Sequence, residues 1–158
     1  MRTDLSPAKQ SVMERQSQLL SETLTYYEAN PRGITPFGCV YSANAWGAYG
    51  DAKCAVGRCM TDEAMESYGD FEGSINYLLQ NGVKSENCDD ILREEFHGLG
   101  IDFWVMLQTI HDDDDFWADT DDGLYPHKVT ERGLGAVSVF RLMIGQGTFT
   151  HHIEDEEA

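Results

Sequence analysis

Within the first thirty positions, apolar residues recur at Val12, Leu19, Leu20, Leu24 and Tyr27, with polar residues between them. That is the three-to-four-residue spacing of one helical face. Ser6-Pro7 supplies a start, because the hydroxyl caps and proline fits the first helical position. Asn30-Pro31 supplies a stop, because the residue before proline avoids helical angles. A helix is predicted between them, and residues 31–37, PRGITPF, read as loop.

The period then changes. β-branched and aromatic residues gather in two short runs, 39–42 and 53–56, joined by a link rich in Gly, Asn and Ala. They predict a small hairpin with a long loop. Thr61 before Asp62-Glu63 predicts a capped helix whose first acids suit the dipole. Further helical segments are expected at 74–80, 88–97 and 101–111. In the last, Phe103, Leu107 and Ile110 line one face, with Trp104 and His111 on a neighbouring stripe. After Thr130, ERGLGAVSVFRLMIG is apolar on nearly all sides, which suits a buried central helix; a strand within 136–140 is the alternative. The expected fold is α+β and mostly helical, a compact single domain with one small β-hairpin near residues 38–57. The domain is expected to span 1–145, with 146–158 as an acidic, mobile tail.

Composition agrees with a folded chain and adds a charge problem. At 158 residues there is room for one proper core. There are 28 acids against 11 bases, a net charge of −17, which repels nucleic acid and anionic membranes. The natural electrostatic partners are basic protein faces, cations or high salt. The acids lie in blocks: ten between Glu94 and His127 and five between Cys59 and Val83, with no Lys or Arg in either stretch. Such blocks carry self-repulsion that an interspersed surface avoids. General solubility or a salt-rich host is the plain explanation, and a binding face is the functional one.

Cys39, Cys54, Cys59 and Cys88 contain no C-x2-C knuckle, so a structural zinc site is not indicated. No secretion signal and no membrane-length apolar run are read. The expectation is a cytoplasmic protein with reduced thiols and no cofactor.

The stretch IHDDDDFWADTDDGLYPHK holds seven aspartates within positions 112–122. An EF-hand register with Gly123 at loop position 6 puts Ala118 and Val129 where oxygen ligands are needed, so that motif is rejected. A looser cation site, a hydrated loop and an acidic binding face remain. His111-Asp112 also has the form of the paired ligands of a metal-dependent phosphohydrolase of the HD type, with His97 as a further ligand. The plain reading of His111 is a histidine favoured by the dipole at a helix C-terminus. Cys54 or Cys59 would be a nucleophile only with a base such as His97 or His111 beside it; the plain reading is a small buried residue. Trp104 reads as core, and Trp46 and Trp117 as candidate exposed aromatics for a protein contact. No G-x-S-x-G, GxGxxG or Walker loop is present.

Gly38-Cys39-Val40-Tyr41, Lys53-Cys54-Ala55-Val56-Gly57-Arg58 and Leu107-Gln108-Thr109-Ile110-His111-Asp112 follow one another before Trp117. This arrangement resembles a scattered group of small tailed-phage and bacterial proteins sharing a C-x-Y … K-C-A-[IV]-G hairpin and an L-Q-x-[IV]-H-D segment. The likeness covers about residues 38–117. The group has no established activity, so no catalytic residue carries over. What the resemblance implies is a phage accessory gene or a prophage remnant. In that setting carboxylates can stand in for backbone phosphates in a basic groove. The expected function is therefore an acidic accessory protein that binds and inhibits a basic, nucleic-acid-binding host protein. Its contact face would comprise Asp112, Asp113, Asp114, Asp115, Asp119, Asp121 and Asp122, with Trp117 as anchor. The alternatives are a metal-dependent phosphohydrolase using His97, His111 and Asp112, and a virion structural or assembly protein.

Overall fold

A computed structural model describes residues 5–29, 34–35, 38–39, 54–68, 75–85, 87–118 and 128–153. The protein is a mostly helical α+β fold. Helix α1 (Pro7–Ala29) begins where Ser6 Oγ accepts the Lys9 N–H at 3.2 Å. It buries Val12, Gln16, Leu19, Leu20, Thr23 and Tyr27. Gln16 is polar but fully buried, because its Nε2 donates to the carbonyls of both Leu99 and Phe149, at 2.8 and 2.9 Å.

Strands β1 (Ile34–Thr35) and β2 (Gly38–Cys39) form an antiparallel pair, Ile34 opposite Cys39. The hairpin near 38 is thus present, but its partner strand lies upstream. The expected second run, 53–56, is not a strand where it is described. Residues 54–56 form a fully buried turn leading into a 3-10 helix (Gly57–Cys59). The linking residues 40–53, Trp46 among them, lie outside the described residues.

Helix α2 (Asp62–Tyr68) is capped by Thr61, whose Oγ1 accepts the Ala64 N–H at 3.1 Å. Helix α3 (Ile75–Tyr77) runs into a π-helical turn, Leu78–Val83. The helix expected at 88–97 is two 3-10 turns, Cys88–Ile91 and Glu94–Phe96. Gly98 and Gly100 then take φ of +85° and +89°, angles that favour glycine. Helix α4 (Ile101–Asp112) follows and buries Phe103, Trp104, Leu107, Ile110 and His111. A 3-10 turn (Asp114–Phe116) leads to β3 (Trp117–Ala118), paired antiparallel with β4 (Lys128–Val129). This second two-residue pair had no signal in the sequence pattern.

Helix α5 (Glu131–Gly145) is capped by Thr130, which accepts the Gly133 N–H at 3.0 Å. It is helical throughout, so the alternative strand is absent. Nor is it a central helix: Leu134, Val139 and Leu142 are exposed, while Val137, Phe140 and Ile144 face the core. The expected tail also begins later than Gly145. Phe149 and Thr150 are buried, Phe149 packs 5.3 Å from Phe140, and His152 Nε2 donates to the Gly98 carbonyl at 2.7 Å. The folded part therefore reaches at least Ile153, and the acids at 154–157 lie outside the described residues. Among the described residues no helix is long and apolar enough to cross a membrane.

Candidate functional site

The last turn of α4 meets the buried turn at 54–57, joining segments about fifty residues apart. Gln108 makes the junction. Its Oε1 accepts the Val56 N–H at 3.1 Å, and its Nε2 donates to Asp112 Oδ1 at 2.7 Å. The same Oδ1 accepts from His111 Nδ1 at 2.6 Å. With the carboxylate oxygen as acceptor, His111 presents an Nδ1–H to it. His111 is fully buried and Asp112 is 38% exposed. One oxygen of Asp112 thus serves two inward donors, and its carboxylate still reaches the surface.

Tyr27 of α1 closes the other side, its ring edge-on to His111 at 4.8 Å and to Trp117 at 6.2 Å. Burial holds the Tyr27 hydroxyl well above its ordinary value, and the nearby Cys54 thiol adds to this. Arg58 lies over the Tyr26 ring at 3.8 Å and pairs with Glu22. Cys54 Sγ accepts the Gly57 N–H at 3.3 Å, and Cys54 is fully buried. The Cys59 thiol is pushed up to about 12, chiefly by burial, as is that of Cys88. A thiol so held is protonated at neutral pH and is not an activated nucleophile.

The phosphohydrolase residues do not assemble. His97 precedes α4 and its Nε2 donates to the Leu92 carbonyl at 2.7 Å. His111 and Asp112 close the far end of the same twelve-residue helix, roughly 18 Å along its axis. Among the described residues no three His, Cys, Asp or Glu side chains gather into a metal-binding group.

The aspartate stretch divides into parts with different work. Asp112 braces Gln108 and His111. Asp113 Oδ1 accepts the Asp115 N–H at 2.9 Å and so shapes the turn that ends α4. Asp115 pairs with Arg132 at 3.3 Å, both side chains largely exposed. For Asp114 only the backbone is described, and Asp119, Asp121 and Asp122 lie outside the described residues. Trp117 is no exposed anchor. It is buried, its Nε1 donates to the Ile110 carbonyl at 2.8 Å, and β3 holds it opposite Val129. The strand pair turns its side chain inward, toward Tyr27. Nor do the acids of 94–122 form one described face, since Glu94, Glu95 and Asp102 stand at the opposite end of α4 from Asp112–Asp115.

The sequence placed Tyr27 on the apolar stripe of α1 and Gln108 and Arg58 within the two quoted motifs, but assigned none of them to a site. The signal for Gln108 was a lone amide on the apolar side of α4, one turn before Asp112. What the arrangement offers is a braced, half-exposed carboxylate beside an acidic turn. The chain has no match among protein-family models, curated proteins or solved structures.

Proposed function

We propose that the protein binds a basic protein surface, one that ordinarily holds nucleic acid, and blocks it. The observation that supports this is where the aspartates stand. The C-terminal end of a helix already carries partial negative charge, and acids there cost about 0.3–1 kcal/mol each. Asp112 to Asp115 follow one another at the end of α4, and among the described residues Arg132 is the only Lys or Arg that pairs with them. Asp112 and Asp113 have structural work that offsets the cost. Asp115 gains little, because an exposed pair such as that with Arg132 contributes about 0–1 kcal/mol. Asp119, Asp121 and Asp122 extend the same acidic stretch in sequence.

The reading therefore assigns contact to Asp115, Asp119, Asp121 and Asp122 and scaffold roles to Asp112, Asp113 and Trp117. Its setting is the host cytoplasm of a phage-type accessory protein. A tagged pull-down from host lysate at low and high salt tests it. A nucleic-acid-binding protein held at low salt, released by salt and lost in the fourfold Asp→Asn variant is the expected result. Retention of the same partner by that variant would overturn it.

A further inference from the structure

Helix α1 and the segment that precedes α4 leave a groove between them. Leu19 lines it from α1, and Phe96 and Leu99 line it from the other wall. The groove holds about 360 Å³ and its lining is chiefly apolar, which is the size and character of a small-molecule site. Arg93 lies over the Phe96 ring at 5.2 Å and steadies it as a wall. Arg15 stands toward one end of the groove and Glu22 toward the other, seven residues or roughly 10 Å apart along the helix. One aromatic ring with a short polar stem fits between them.

Charge selects what can occupy this groove. Its two carboxylates already have cations: Glu22 pairs with Arg58, and Glu95 with Arg93 at 3.3 Å. Arg15 has no acid. Its Nη2 donates to the carbonyl oxygens of Glu95 and His97, at 3.0 and 2.7 Å, and among the described residues no carboxylate pairs with it. In a chain of 28 acids and 11 bases, a half-buried guanidinium without an acid is out of keeping with the composition. The two carbonyl bonds hold the group in place, so little side-chain freedom is lost when a ligand arrives. Nη1 and Nε remain as donors. A cationic ligand would meet one unpaired cation and two neutralised acids, whereas a monoanion completes the charge. A phosphate monoester would set close to two negative charges against one positive. At physiological salt the acids elsewhere on the chain are screened beyond about 8 Å, so the lining charges decide.

We propose that this groove binds a small apolar carboxylate, its body against Leu19, Phe96 and Leu99 and its carboxylate on Arg15. The site is independent of the acidic-face reading, because Glu95 and Phe96 precede α4 and Asp112–Asp115 lie at its far end.

Phenylacetate, titrated into the whole chain at about 150 mM salt, tests the proposal, with phenylacetamide as its uncharged counterpart. The methyl resonances of Leu19 and Leu99 should shift and saturate with a Kd of about 1 mM or tighter, as suits so small a ligand. The amide should bind roughly tenfold more weakly. Arg15→Met should bind the two alike. Gln18→Trp, a change at an exposed position on the rim, should obstruct the groove and weaken phenylacetate roughly tenfold with the melting temperature unchanged. The two ligands are compared on the unaltered chain, so the test stands even where Arg15→Met does not fold. No saturable shift up to roughly 20 mM, far above a millimolar Kd, overturns the proposal. So do equal affinities for acid and amide, shifts centred away from Leu19 and Leu99, or a folded Arg15→Met protein that keeps the preference for the acid.

Discussion

Replacing Gln108 by leucine removes the acceptor of the Val56 N–H and the donor to Asp112 together. A buried N–H left without a partner costs about 1–3 kcal/mol, so the variant should unfold in urea at a visibly lower midpoint. Gln108→Glu keeps the acceptor but sets a second carboxylate beside Asp112. Its deficit should shrink as acidification protonates one of the two, and an unfolding series from pH 7 to 4 would show a flat difference if the contact were absent. The buried thiols have the opposite sense. Cys59 and Cys88 rise from 9.0 to about 12 on folding, so the unfolded chain loses these protons first. Their stabilising effect is complete below pH 9 and is lost as pH climbs from 9 toward 12. Urea unfolding at pH 8 and 10.5 should give the lower stability at the higher pH, and a Cys59→Ala, Cys88→Ala pair should flatten that slope.

At the scale of elements, caps and stops were legible and strand pairing was not. Ser6-Pro7, Thr61 and Thr130 each mark a helix start because a hydroxyl satisfies a local N–H, a bond that needs no distant partner. The run at 53–56 misled because its residues suit a strand, yet Val56 donates to Gln108, fifty-two positions on. A tertiary bond outranked local preference. Helix α5 misled in the reverse way: its apolar residues encircle it, and only the packing separates Phe140 from Leu142. Trp117 looked like a contact residue because aspartates surround it in sequence, whereas β3 turns it into the core. Trp117→Ala should therefore cost about 3–5 kcal/mol of stability, read as a large fall in melting temperature. Gly133→Ala, which drives a methyl onto the Phe116 carbonyl, should also lower the melting temperature. Gly135→Ala, on the opposite face of the helix in open space, should raise it slightly.

For the whole molecule, charge is the dominant long-range term. At −17 the compact state repels itself, and salt shortens the reach of that repulsion to about 8 Å at physiological strength. The melting temperature should rise steadily from 20 mM to 1 M potassium chloride, and a fall over that range would show that the exposed ion pairs outweigh the repulsion. The sequence made this charge plain and located its blocks, but not that α4 sets Glu94 and Glu95 at one end and Asp112–Asp115 at the other.

The two bonds of Gln16 bear on how the chain comes to be folded as it is made. They reach carbonyls 83 and 133 positions downstream. At a synthesis rate of roughly 5–20 residues per second, Phe149 arrives about 7–27 s after Gln16. Until then the Gln16 Nε2 lacks one of its two carbonyl acceptors, and α1 lacks the turn at Phe149 that packs beside it. Helix α1 is therefore made well before its last partners, and a chain cut short of residue 149 should expose the helix face around Gln16, read as faster proteolysis there than in the full sequence.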